Sequence, residues 1–190
     1  MAPASVAFED FRRNFKAGVI QLVHRVLVAD TQTPVSAFLK LADGKKHCFL
    51  LESVEGGEVR GRFSVIGLHP DLIWRCHNSQ AEINRTPGDS ENFVADTLSP
   101  IESLRQTMAE SAMEDTGDLP PMAAGLFGYF GYDMIRQIET IADQNAAVID
   151  VDDSLLLRPS LIAIFDRLKD SITVVTQIRP QEWDNAKTAW

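Results

Sequence analysis

Cysteine is nearly absent: Cys48 and Cys76 are the two in 190 residues, and neither stands in a C-x-x-C pair. That spacing indicates no disulfide framework and no zinc knuckle, and fits reduced thiols in or near the core of a cytoplasmic protein. Positive charge is scarce as well. Eighteen Lys and Arg stand against 27 Asp and Glu, a net charge of -9, so no basic face is on offer to nucleic acid or an anionic membrane. No apolar run approaches the roughly 20 residues that span a bilayer. The start, Met1-Ala2-Pro3-Ala4-Ser5, lacks the basic segment and apolar stretch of a secretory signal.

Catalytic motifs are missing too. His24, His47, His69 and His77 have no spacing that sets two on one helical face, and neither H-E-x-x-H nor G-x-S-x-G occurs. Gly125, Gly128 and Gly131 form G-x-x-G-x-x-G, which is neither a dinucleotide fingerprint nor a P-loop. Such spacing is expected where a strand backbone lies close to a neighbour. Asp150, Asp152 and Asp153 are the densest acidic cluster and read as a solvated loop. No constellation for catalysis or metal binding emerges.

What is present is an ordinary globular composition, 45% hydrophobic and 24% charged, long enough for one sizeable domain. Phe8, Phe11 and Phe15 share a face, predicting a helix over residues 8–16. Residues 19–29 read as a strand. Thr33 caps a second helix with Pro34 at its first position, an apolar stripe of Val35, Phe38, Leu39 and Ala42, and Gly44 as its stop. Strands follow at 46–53, 62–67, 71–76 and 81–85, the first two joined by a polar loop over 54–61. Ser99 and Glu102 make a capping box for a helix carrying Ile101, Leu104 and Met108. Residues 132–139 resume a helical pattern, in which Tyr129, Tyr132 and Asp133 are expected to pack and to start the helix. Strands at 155–166 and 171–178 flank a turn at 167–170. Another helix opens at Pro180 and meets no stop signal by Trp190, which suggests truncation. Hairpins mixed with helices indicate an α+β fold of layered antiparallel sheet with packed helices.

Two segments are the most distinctive. One is Phe49-Leu50-Leu51-Glu52-Ser53 with Glu55-Gly56-Gly57, running into Gly61-Arg62-Phe63-Ser64-Val65-Ile66-Gly67. The other is Gly125-Leu126-Phe127-Gly128-Tyr129-Phe130-Gly131-Tyr132-Asp133. In that order they resemble the L-L-E-S-x-E-G-G…G-R-[FY]-S-x-[IL]-G and G-x-x-G-Y-x-x-Y-D signatures of the N-terminal region of anthranilate synthase component I, and residues 33–41 resemble the helix that precedes them. The resemblance covers most of the chain, from about Ala29 onward. It implies a lyase that converts chorismate and an amino donor to anthranilate and pyruvate, the committed step to tryptophan. Mg2+ and the catalytic residues belong to a C-terminal chorismate-binding domain, and a glutamine amidotransferase subunit or fused domain supplies ammonia. Residues 1–190 then form the regulatory region, inactive alone, which feels feedback inhibition by L-tryptophan. No catalytic residue and no cofactor are expected in it. The effector residues implied are Leu50, Leu51, Glu52, Ser53 and Ser64. A region parted from its own C-terminal domain is also expected to self-associate. The alternatives are the matching region of aminodeoxychorismate synthase and a free-standing binding module.

If Val54 and Gly61 face each other, Ser53 pairs with Arg62 and Leu51 with Ser64 on one side of the hairpin. A loop this long does not fix the register, and a slip of one residue reverses every side chain. Arg62 is expected in an ion pair with Glu55 or Glu58. Burying an indole of roughly 200 Å2 gives ~5 kcal/mol. Micromolar binding needs about 8 kcal/mol, so the ammonium and carboxylate must contribute.

Overall fold

The computed structural model describes residues 7–52, 61–88, 91–113, 116–141, 149 and 151–190. The chain divides into two compact units. The first comprises Met1–His69, Met113–Ala124 and Ser160–Trp190, the second Pro70–Ala112 and Gly125–Pro159.

The first unit is built on antiparallel strands β1 (Gln21–Val28), β2 (Phe49–Glu52) and β8 (Ser171–Ile178), with residues 63–69 of β3 (Phe63–His77) and 160–166 of β7 (Ser154–Asp166). Their order is β1-β8-β7-β3, with β2 added on β3. The β7–β8 hairpin folds locally. Asp166 accepts the N–H groups of Leu168 and Lys169, and Asp170 takes φ +47, as short acidic side chains do in turns. Helix α2 (Pro34–Leu41) starts as its sequence dictates. Thr33 Oγ1 accepts from Ser36 N at 3.1 Å, and Ser36 Oγ accepts from Thr33 N at 3.0 Å, with Pro34 at the first position. Its buried side differs from the expected stripe. Ala37 and Phe38 pack on Ile66, Leu68, Ala163, Phe165 and Ile172, whereas Val35 and Leu39 are exposed, because a helix this short rests on the sheet through little more than one turn. Helix α1 (Phe8–Lys16) packs as its phenylalanines predict, with Phe11 fully buried among Ile178, Ala186 and Ala189. The helix expected from Pro180 is only a 3-10 turn, Pro180–Glu182. A separate short helix, α4 (Ala186–Ala189), is capped by Asn185 and brings the Trp190 ring 4.9 Å from Phe11.

The second unit joins β4 (Gln80–Asn84), β5 (Val94–Ala95), helix α3 (Pro100–Ser111) and β6 (Phe127–Phe130) to residues 70–77 of β3 and 154–159 of β7, in the order β6-β7-β3-β4-β5. Trp74 lies at its centre with Leu72, Cys76, Ala81, Leu104, Met134 and Leu156. The indole N–H donates to Ser103 Oγ at 3.0 Å, and that hydroxyl donates to Asp96 at 2.7 Å, so the buried polar atoms are satisfied in series. Residues 63–77, read from sequence as two strands, form one. His69 adopts φ +49 before Pro70 and absorbs the break within a continuing strand. Two of the three spaced glycines meet the expectation of close strand approach, whereas a Cβ on Gly125 would meet nothing within 4 Å and that residue instead takes φ +122. A Cβ on Gly128 would lie 1.9 Å from the Leu155 carbonyl oxygen, and one on Gly131 2.7 Å from that of Asp153. Residues 132–137 wind as a 3-10 helix. Tyr132 is 91% exposed rather than packed, and Asp133 pairs with Arg136.

Candidate functional site

The β2–β3 ladder pairs Phe49 with Gly67, Leu50 with Ile66, Leu51 with Val65 and Glu52 with Ser64. This is one residue away from the expected register of Leu51 opposite Ser64. Packing decides it. Leu50 and Ile66 both enter the core beneath α2, and the Phe49 ring occupies the space a Cβ on Gly67 would need, 2.2 Å from its Cε1. Shifting the strand would expel Leu50 and drive Phe49 into another side chain. Leu50, Glu52 and Ser64 therefore share one side, while Leu51 points away and is 52% exposed. Ser53 lies outside the described residues, as do Glu55 and Glu58.

Ser64 is completely buried, and its Oγ finds no partner among the described residues. A buried hydroxyl without a partner costs roughly 1–3 kcal/mol, so the ladder carries an unused hydrogen-bonding group directly opposite Glu52. The Glu52 carboxylate accepts from Arg167 Nη2 at 2.6 Å. Sequence reading treated Arg167 as a turn residue, and nothing local signals the contact.

Among the described residues Arg62 pairs with Asp166; Glu55 and Glu58, its expected partners, lie outside them. Its Nε and Nη2 donate to the two carboxylate oxygens at 2.9 and 2.6 Å, while its carbonyl accepts from Arg167 N–H at 3.0 Å. Residues 166 and 167 thus hold the chain on both sides of residues 53–60. The Arg62 hydrogen bonds hold the Asp166 carboxyl below the usual carboxylate range, burial opposes them, and the turn N–H groups assist. A depressed carboxyl stabilises the fold above its unfolded pKa of about 3.9, and that stability is lost as pH falls through the lower folded value. Asp166→Asn should therefore melt below wild type at pH 7 and lose less on going to pH 3. Parallel pH profiles of melting temperature for the two proteins would contradict this.

A cavity of about 950 Å3 opens within the first unit, lined among others by His24, Arg62, Phe63, Ile164, Lys169 and Thr173. Along β7, Ile164 faces this cavity while Ala163 and Phe165 face the α2 core, so it occupies the sheet side opposite Leu50 and Ser64. Of the residues implied by the sequence resemblance, the described ones, Leu50, Leu51, Glu52 and Ser64, do not line it.

In the second unit the acidic cluster is not a plain solvated loop. Asp152 lies 3.1 Å from His77 Nδ1, and Asp153 accepts from Ser79 N and the Cys76 thiol; Asp150 lies outside the described residues. Burial, reinforced by Asp153, pushes the Cys76 thiol up to about 11, which keeps it protonated and a poor nucleophile. Among the described residues no group of three His, Cys, Asp or Glu is placed to hold a metal. Among them, too, no helix is long and apolar enough to cross a membrane.

No protein-family model matches the chain. Comparison with curated proteins does find relatives. The chain is 49% identical over 170 residues to anthranilate synthase component 1 of Cereibacter sphaeroides, a match covering 89% of this chain and 34% of that protein. It is 32% identical over 171 residues to anthranilate synthase component 1 of Thermus thermophilus, covering 90% and 35%. Among solved structures, anthranilate synthase component I from Streptococcus pneumoniae TIGR4 superposes with a TM-score of 0.55 at 22% identity, over 86% of this chain and 34% of that one, which shows a shared fold. The chain spans about a third of the length of the curated relatives it matches. By sequence and by fold it is a homologue of the N-terminal region of anthranilate synthase component 1.

Proposed function

We propose that this chain is the regulatory portion of an anthranilate synthase, a lyase of tryptophan biosynthesis, and that it binds L-tryptophan as a feedback inhibitor. In this reading chorismate chemistry, Mg2+ and the ammonia-supplying glutamine amidotransferase engage the part of the relatives that this chain does not match, and residues 1–190 alone are inactive in the cytoplasm.

The observation that carries the reading is Ser64: a buried, unpartnered hydroxyl opposite Glu52 on the strand pair that bears the family's L-L-E-S motif. Leu50 offers apolar surface on the same side, Glu52 an anion for an ammonium, and Ser64 a hydrogen bond. Leu51 turns away and drops from the set of contacting residues. Both named relatives are called anthranilate synthase component 1, which favours this reading over aminodeoxychorismate synthase.

Calorimetry of L-tryptophan with the intact polypeptide tests it. Glu52→Gln should weaken binding about tenfold or more, since charge-assisted hydrogen bonds contribute about 1.5–3 kcal/mol. Ser53→Phe should abolish detectable binding. Unchanged affinity in both variants would place the effector elsewhere.

A further inference from the structure

The sequence motifs did not announce the Glu52–Arg167 ion pair. Resting on the tryptophan-site reading above, we propose that Arg167 is the carboxylate-recognising residue of that site, so that the site selects a whole α-amino acid zwitterion. Arg167 Nη2 donates to Glu52 Oε1 at 2.6 Å, and both side chains remain partly exposed. The pair is therefore reachable from solvent and held only weakly, as exposed ion pairs are. An α-amino acid carries the same two charges one carbon apart. Its ammonium can replace the guanidinium on Glu52 while its carboxylate takes the guanidinium from Glu52. The exchange conserves charge and leaves neither protein group unpaired.

Arg62, the other arginine flanking residues 53–60, is committed. Two of its nitrogens fork onto Asp166. Arg167 is also placed to act. Its backbone N–H is fixed on the Arg62 carbonyl at 3.0 Å, so the root of the side chain is held by the sheet while its end is free to change partner. The charged end of the ligand would bridge Glu52 and Arg167 at the partly exposed edge of the strand pair. Ligands lacking one charge are penalised. An amine without a carboxylate leaves Arg167 beside a second cation, and an acid without an ammonium sets a second anion beside Glu52.

The experiment compares L-tryptophan, tryptamine and indole-3-propionate by calorimetry on the intact polypeptide, in wild type, Arg167→Met and Arg167→Lys. Wild type should prefer L-tryptophan to both analogues. Arg167→Met should weaken L-tryptophan about tenfold or more while tryptamine binds as well as before or better, and Arg167→Lys should recover much of the loss. Retained tryptamine binding doubles as proof that the variant is folded. If Arg167→Met weakens tryptophan and tryptamine alike, or neither, Arg167 does not read the carboxylate and the inference is overturned while the tryptophan site stands. If wild type binds no tryptophan, the proposed function fails first and takes this inference with it.

Discussion

Replacing Gly128 by alanine should detach β6 from β7 and lower the stability of the second unit by at least about 3 kcal/mol. The added Cβ would meet the Leu155 carbonyl oxygen at 1.9 Å, Leu155 C at 2.9 Å and Leu156 Cα at 3.0 Å. All three are backbone, so no side chain can swing aside. The contact can be relieved only by moving a strand that pairs Phe127 with Leu157, Gly128 with Leu156, Tyr129 with Leu155 and Phe130 with Ser154. Displacement would also break the Ser154 hydroxyl bond to the Tyr129 carbonyl at 2.7 Å and the Gly131 N–H bond to the Asp153 carbonyl at 2.8 Å. Hydrogen exchange reads this directly: the amides of residues 127–131 should lose protection. A Gly128→Ala protein with wild-type denaturation midpoint and wild-type protection there would refute the steric account. Loss of stability and protection would instead bear on function, because it would identify Gly128 as a packing glycine rather than part of a ligand cradle.

Arg158→Met should be about as damaging, for an electrostatic reason. The guanidinium is 4% exposed, donates to Asp71 at 2.5 Å and to Ser111 Oγ at 3.2 Å, and stands 3.6 Å from Glu110. Removing one member of a buried pair typically costs about 3–5 kcal/mol, chiefly because the surviving charge loses its main compensation in a poorly solvated place. The double variant Arg158→Met/Asp71→Asn should therefore be more stable than Arg158→Met alone. Denaturant melts of the two single variants and the double variant measure the coupling. Additive losses would mean that the pair contributes through shape rather than charge.

The parts of this chain written legibly in sequence are those whose physics is local. Thr33-Pro34 and Ser99-Pro100 open helices where a capping hydroxyl and a proline at the first position predict them. Residues 171–178, rich in β-branched side chains, form a strand with the expected bounds. The glycines at 128 and 131 announce close approach, although not to which strand. Local breakers misled where tertiary pairing overrode them. Residues 62–67 and 71–76 read as two strands, yet β3 runs through both, and Pro180 reads as a helix start, yet one 3-10 turn follows. At the candidate site the motif supplied Leu50, Glu52 and Ser64 but not their arrangement. The reading placed Leu51 opposite Ser64, and the structure places Glu52 there.

The sequence by itself determined the helix caps, the strand-forming segments, the α+β class and the motifs that resemble those of anthranilate synthase component 1, because each depends on residues within a few positions of one another. Only the tertiary structure decided the β2–β3 register, the commitment of Arg62 to Asp166 and the meeting of Glu52 with Arg167. Those rest on which side chains fill the space under α2 and beside Gly67, and on partners more than a hundred positions apart. A strand's period of two tells which residues share a face, but only the packed core says which face it is.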